Sequence, residues 1–141
     1  MASNERNWYR TIKNSTTEFL LLDRIENSIG EGIPDYAYVH KESGSAGWIE
    51  VKRILELPKR ETTPVFGSKG LRPAQIAWLN TRFNCGGKAY ILAGAEKHVW
   101  LVSASFARTF NEMIVSELDA VAVYCTKSRI NWVELTNCLT K

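Results

Sequence analysis

Two carboxylates and an amine stand out in this chain: Asp35, at the end of Gly32-Ile33-Pro34-Asp35, and Glu50 and Lys52, within Trp48-Ile49-Glu50-Val51-Lys52. On a β-strand, residues two apart point to the same side, so Glu50 and Lys52 share one face and Ile49 and Val51 the other. A carboxylate from the neighbouring strand, Asp35, can then converge with them on one attacking water. Phosphodiester hydrolysis needs such a set: anionic oxygens for a hard divalent cation, and a fixed cation near the water and the scissile phosphate. Glu-x-Lys and Pro-Asp are each common, the first at solvated strand edges and the second at turns. Their conjunction carries the reading, because Gly-x-Pro-Asp opens an aromatic strand and Glu-Val-Lys lies in the next one. Gly32 and Pro34 set a tight backbone entry that can hold the Asp35 carboxylate.

The elements that must position these groups are legible in outline. Residues from about Asn4 to Asn14 predict a short helix with Trp8, Tyr9 and Ile12 on one side. Phe19 to Ile25 reads as a strand, and Asp35 to His40 as an alternating, aromatic-rich one. Glu42 to Gly47 is a hairpin connection, and Trp48 to Leu55 is the returning strand, which predicts an antiparallel meander. Glu56 to Gly70, with Pro58, Pro64, Gly67 and Gly70, reads as a long exposed loop. Arg72-Pro73 opens a helix with Ile76, Leu79 and Phe83 on its apolar face, ended by Gly86-Gly87. Lys88 to Ala93 and His98 to Val102 predict two more strands around a Gly-containing turn, and Ser103 to Ser116 a helix. The pattern leaves residues beyond 120 ambiguous. This order fits an α/β fold with a central mixed β-sheet flanked by helices.

At 141 residues, 45% hydrophobic and 23% charged, the chain is expected to be one globular domain over residues 1–141. No run has the length of a membrane-spanning helix, and the polar start predicts no secretory leader and a cytoplasmic location. Cys85, Cys125 and Cys138 form no Cys-x-x-Cys pair, which argues against structural zinc and predicts reduced, mostly buried thiols. Ser103 and Ser105 have no His/Asp partners for nucleophilic catalysis and read as helix caps. His98 reads as structural, at the start of an edge strand. Trp78, Trp100 and Trp132 read as core or interface residues. Net charge is only +3, but Arg53, Lys59, Arg60, Lys69 and Arg72 crowd the stretch after Lys52, against Glu56 and Glu61. A local basic stretch beside a metal site suits a polyanionic backbone.

Arg24-Ile25-Glu26-Asn27, Gly32-Ile33-Pro34-Asp35, Gly47-Trp48-Ile49-Glu50-Val51-Lys52, and Arg72-x-x-Gln75-x-x-Trp78-Leu79 followed by Gly86-Gly87 together resemble phage-encoded VRR-NUC-type nucleases. That group belongs to the PD-(D/E)XK superfamily, which includes Holliday-junction resolvases. The likeness runs from about Arg24 to Leu101, and the ordered series is far more specific than Glu-x-Lys alone. It implies a restriction-endonuclease-like core, with Asp35, Glu50 and the Val51 backbone carbonyl as Mg²⁺ or Mn²⁺ ligands. Lys52 would orient the attacking water or stabilise developing charge, and Gln75 would position the site or the DNA backbone. Many members add a Glu from the first helix. Glu5 matches by position, with Glu26 and Glu18 as competitors.

The expected activity is metal-dependent cleavage of DNA, with branched, four-way-junction DNA as the favoured substrate. Cutting two symmetric strands takes two sites and implies a homodimer. Two other readings stand beside it: a nicking or end-processing nuclease without junction preference, and an inactive DNA-binding module that keeps the nuclease fold.

Overall fold

Alternation in Tyr36-Ala37-Tyr38-Val39-His40 buries Tyr36, Tyr38 and His40 and leaves Ala37 and Val39 partly exposed, the signature of a strand with one face in the core. It is the second strand of a sheet in a computed structural model that describes residues 2–25 and 32–141, with side chains from Asn7 onward. The elements run α1 (Ala2–Thr16), β1 (Leu20–Arg24), β2 (Tyr36–His40), β3 (Ala46–Ile54), α2 (Pro73–Asn84), β4 (Ala89–Ala95), β5 (His98–Ser103), α3 (Val115–Val121), β6 (Tyr124–Thr126) and α4 (Trp132–Cys138). Among the described residues the strands form one six-stranded sheet in the order β1-β2-β3-β4-β5-β6.

The expected meander is present: Tyr36 pairs with Ile49 and Ala37 with Trp48, while β1 pairs with β2 from Leu20–His40 to Arg24–Tyr36. Next, β3 and β4 run parallel, with Glu50 opposite Ile91 and Lys52 opposite Ala93. A parallel pair needs a crossover, and the loop after β3 together with α2 supplies it. The turn from β4 to β5 is Glu96-Lys97, since Ala95 pairs with His98. Gly94 therefore lies within β4 and not in the turn, where the Arg53 guanidinium rests on its bare Cα.

Both faces of the sheet are covered, and strand parity decides which residue joins which core. Ile49, Val51, Tyr90, Leu92, Val99 and Leu101 pack with Trp8 and Ile12 of α1 and Leu135 and Leu139 at α4. Ile91, Ala93, Trp100 and Val102 pack with Leu79 of α2, Phe110 and Leu118 of α3. Glu50 and Lys52 share the parity of the second set and point under α2.

Three further expectations are corrected. The helix expected over Ser103 to Ser116 is replaced by two 3₁₀ turns, Ala104–Phe106 and Phe110–Glu112, with α3 starting only at Val115. Ala104, Ala107, Phe110 and Met113 are all buried; a spacing of three suits 3₁₀ geometry, whereas an α-helix would rotate these positions apart. Ser103 does cap the first turn, accepting from Ser105 N. His98 does not begin an edge strand, because β6 pairs outside β5. Nor are the thiols mostly buried: Cys85 and Cys125 are exposed and only Cys138 is enclosed.

Candidate active site

Asp35 and Glu50 meet because the two strands are locked in register. Asp35 lies one residue before β2, and its Oδ2 accepts a 2.8 Å hydrogen bond from the backbone N of Val51. The chain leading into it is held on the other side by Ile25 N, which donates to Asp35 O at 2.8 Å. Gly32 adopts φ +83°, and a Cβ there would collide with the carbonyl of Ala74 in the first turn of α2. Only glycine lets the Pro34-Asp35 segment approach the helix so closely.

Glu50 is 2% exposed, deep for a carboxylate. Its Oε2 accepts from Gln75 Nε2 at 2.9 Å and lies 3.5 Å from Lys52 Nζ. Its Oε1 is buried and has no hydrogen-bond partner among the described residues. Burial, reinforced by the negative charge of Asp35, pushes the Glu50 carboxyl from an ordinary 4.5 up to about 7, against the pull of Lys52 and Arg72. Such a group resists ionisation until a further positive charge arrives.

Gln75 reaches Glu50 because of how α2 begins. Arg72 is the N-cap and Pro73 opens the helix, the position where a missing N–H matters least. The Gln75 Oε1 accepts from Arg72 N at 2.9 Å, so its amide spans the helix start and the Glu50 carboxylate. Further along α2, Trp78 packs edge-on against Trp48, and the Arg82 guanidinium lies 4.4 Å from the Trp78 ring and 4.8 Å from the Trp48 ring. Trp48, Glu50 and Lys52 thus form one row under the helix, apolar at one end and charged at the other.

A divalent cation fits this donor set. The unpartnered Oε1 and the adjacent Asp35 carboxylate offer hard oxygen donors, and no three His, Cys, Asp or Glu side chains gather into a closed cage among the described residues. Two carboxylates suit a cation such as Mg²⁺ that keeps water and takes phosphate oxygens for its other positions.

The other expected residues separate by location. Val51 contributes the backbone N–H that holds Asp35. Glu26 lies outside the described residues, as does the side chain of Glu5, whose backbone is in α1. Glu18 is exposed and precedes Leu20, which pairs with His40 at the end of β2 away from Asp35, so it stands off from the site. Arg72 is exposed at the start of α2, near enough to Glu50 to act on its ionisation. Arg53 has the opposite parity from Lys52, with its guanidinium 5.2 Å from the Trp8 ring and Nη2 donating to Glu96 O at 2.9 Å. It also lines an open cleft of ≈ 460 Å³ with Ile54, Leu55, Glu56 and Lys69. Lys59 is exposed, and Arg60 lines a different cleft with His98, Asp119 and Lys127. The loop is tied where it begins, Leu57 N donating to Glu96 Oε2 at 2.7 Å. Sequence reasoning missed this anchor, and nothing local to Glu96 could have signalled it.

No protein-family model matches the chain, and no curated protein is significantly similar to it. Among solved structures it is similar to Hjc, a Holliday junction resolvase from the archaeal hyperthermophile Archaeoglobus fulgidus, with 15% sequence identity and a TM-score of 0.50. The match covers 72% of this chain and 78% of that one. The two share one fold. The restriction-endonuclease-like core implied by the motifs is therefore the architecture observed, a mixed sheet flanked by helices.

Proposed function

We propose that this chain is a divalent-metal-dependent DNA endonuclease that resolves branched DNA, a VRR-NUC-type enzyme of the PD-(D/E)XK superfamily encoded by a phage. The observation that carries the reading is Glu50 Oε1, buried beside Asp35 and Lys52 and without a hydrogen-bond partner among the described residues. A buried carboxylate oxygen left without a partner is costly unless the group has a charge to meet. The likeness to a Holliday junction resolvase supports the substrate class.

Asp35, Glu50 and the Val51 carbonyl would hold Mg²⁺ or Mn²⁺, with Glu5 or Glu26 as a further carboxylate. A bound cation supplies Lewis acidity toward water and phosphate. The protein's own groups do the rest. Gln75 fixes the Glu50 carboxylate so that Oε1 stays turned to the site. The Lys52 ammonium, held by Glu50 Oε2, stands where it can orient the attacking water and stabilise negative charge growing on the phosphate oxygens. Arg72, Lys69 and Arg53, with Lys59 and Arg60 farther along the loop, grip the backbone without reading bases. The 141 residues work as one domain in the cytoplasm of the producing cell, with two copies paired so that two strands are cut symmetrically.

The test compares four-way junctions, flaps and linear duplexes in Mg²⁺. Preferential, paired incision of the junction is expected. Equal cutting of all three substrates overturns the junction preference in favour of a general nicking enzyme, and tight binding without cleavage favours an inactive binding module.

A further inference from the structure

Far from the acidic pair in sequence, Asn111 sits in the 3₁₀ turn Phe110–Glu112 and makes two hydrogen bonds to one residue of the loop before α2. Its Oδ1 accepts from Leu71 N at 2.7 Å and its Nδ2 donates to Leu71 O at 2.8 Å. The pair copies a strand-like bridge with a side-chain amide. Turning the amide over would set donor against donor, so one orientation is enforced. Gly70 lies directly against this amide, where any Cβ would collide with Oδ1. Val65 N, donating to Met113 O at 3.0 Å, ties the same two segments a second time.

Leu71 is followed by Arg72, whose N–H donates to Gln75 Oε1, and Gln75 Nε2 donates to Glu50 Oε2. An unbroken series of contacts thus runs from Asn111 through the Leu71-Arg72 backbone and the Gln75 amide to the buried carboxylate. On the other side Gly32 presses on Ala74 of the same helical turn. The first turn of α2 is gripped from two directions.

We infer that Asn111 is a positioning residue for the proposed nuclease site: by fixing the Leu71-Arg72 backbone it sets the Gln75 amide and, through it, the orientation of Glu50. The inference rests on the nuclease reading for its catalytic consequence, and on hydrogen-bond geometry for the relay itself. A residue that only stabilised the loop would lower stability without altering Gln75.

The experiment uses the full chain with Asn111→Ala, Gln75→Ala and the double variant, on a four-way junction in Mg²⁺. Asn111→Ala should slow cleavage about tenfold, on the scale of one lost neutral hydrogen bond, at unchanged KM for DNA. The double variant should be no slower than Gln75→Ala alone, because both act through one group. In the ¹⁵N-labelled, metal-free protein the Gln75 side-chain amide resonances should move in Asn111→Ala. Unmoved Gln75 resonances, or a double variant slowed by the product of the single effects, overturn the relay. If the wild type cleaves no DNA, the nuclease reading fails, and the resonances still decide whether Asn111 reaches Gln75. Should Asn111→Ala not fold, Asn111→Asp keeps the acceptor for Leu71 N and turns an oxygen on Leu71 O, and the same two readouts apply.

Discussion

Replacing Glu50 by Gln should make the metal-free protein more stable at alkaline pH. Glu50 is almost wholly buried, and its carboxyl is pushed from 4.5 to about 7, first by burial and then by Asp35. A raised carboxyl pKa means that the folded state retains a proton the unfolded chain has released. The associated stability is fully present below about pH 4.5, declines as pH rises, and is gone above about pH 7. At about 1.4 kcal/mol per pH unit, the loss across that window is about 3 kcal/mol. Gln does not titrate, so Glu50→Gln escapes the loss, less about 1 kcal/mol for an amide N–H left unpaired where Oε1 had been. The net gain at pH 8 is about 2 kcal/mol, or about 5 °C in melting temperature for a domain of this size. Thermal unfolding in EDTA at pH 4.5, 6 and 8 reads this directly. The two proteins should melt within a degree or two at pH 4.5 and separate by pH 8. Saturating Mn²⁺ should raise only the wild type, closing the gap. A wild-type melting temperature flat from pH 4.5 to 8, or a variant no more stable at pH 8, would refute the view that Glu50 is held buried against its own charge.

Other consequences are open to simpler assays. Lys52→Ala should lower the cleavage rate by about 10²-fold while leaving junction affinity within a few-fold, as expected for a group that acts on developing charge; equal losses in both would make Lys52 a binding residue. Lys69→Ala with Lys59→Ala should weaken binding and reduce the slope of log K against log salt by up to about 1.8, as two lost phosphate contacts would. Arg60→Ala should change the slope less, because Arg60 lines the separate cleft beside His98 and Asp119; an unchanged slope in the double variant removes the loop from the DNA interface. Gly32→Ala forces a side chain into the left-handed region and onto Ala74 O, and should cost about 2 kcal/mol or more in urea unfolding. An unchanged unfolding midpoint would mean that the segment carrying Asp35 yields without consequence.

Much of this architecture was readable because it is local. Alternation in Tyr36–His40 and the glycine-rich connection before Trp48 specified two strands and their hairpin, and that hairpin brings Asp35 to Val51 N. Strand parity alone placed Glu50 and Lys52 on one face. What the sequence hid is long-range or has the wrong period. The parallel pairing of β3 with β4 depends on a crossover that runs from Leu55 to Lys88, which no local pattern encodes. The segment after Ser103 misled because serines and buried residues resemble a capped helix until the spacing of three is noticed. Gln75 was legible only through family resemblance; its hold on Glu50 spans 25 positions. The basic loop was legible as composition, yet its path was not, and Glu96 and Asn111, which tie its two ends, carry no sign of that role in their own neighbourhoods.

The most direct measurement of the central claim is cleavage of a synthetic four-way junction across a Mg²⁺ titration, with the wild type beside Asp35→Asn and Glu50→Gln, and junction binding recorded for all three. Metal-dependent incision by the wild type alone, with binding retained by both variants, is the predicted result. Undiminished cutting by Glu50→Gln, or cutting by the wild type that ignores chelation, would contradict a site built from these two carboxylates.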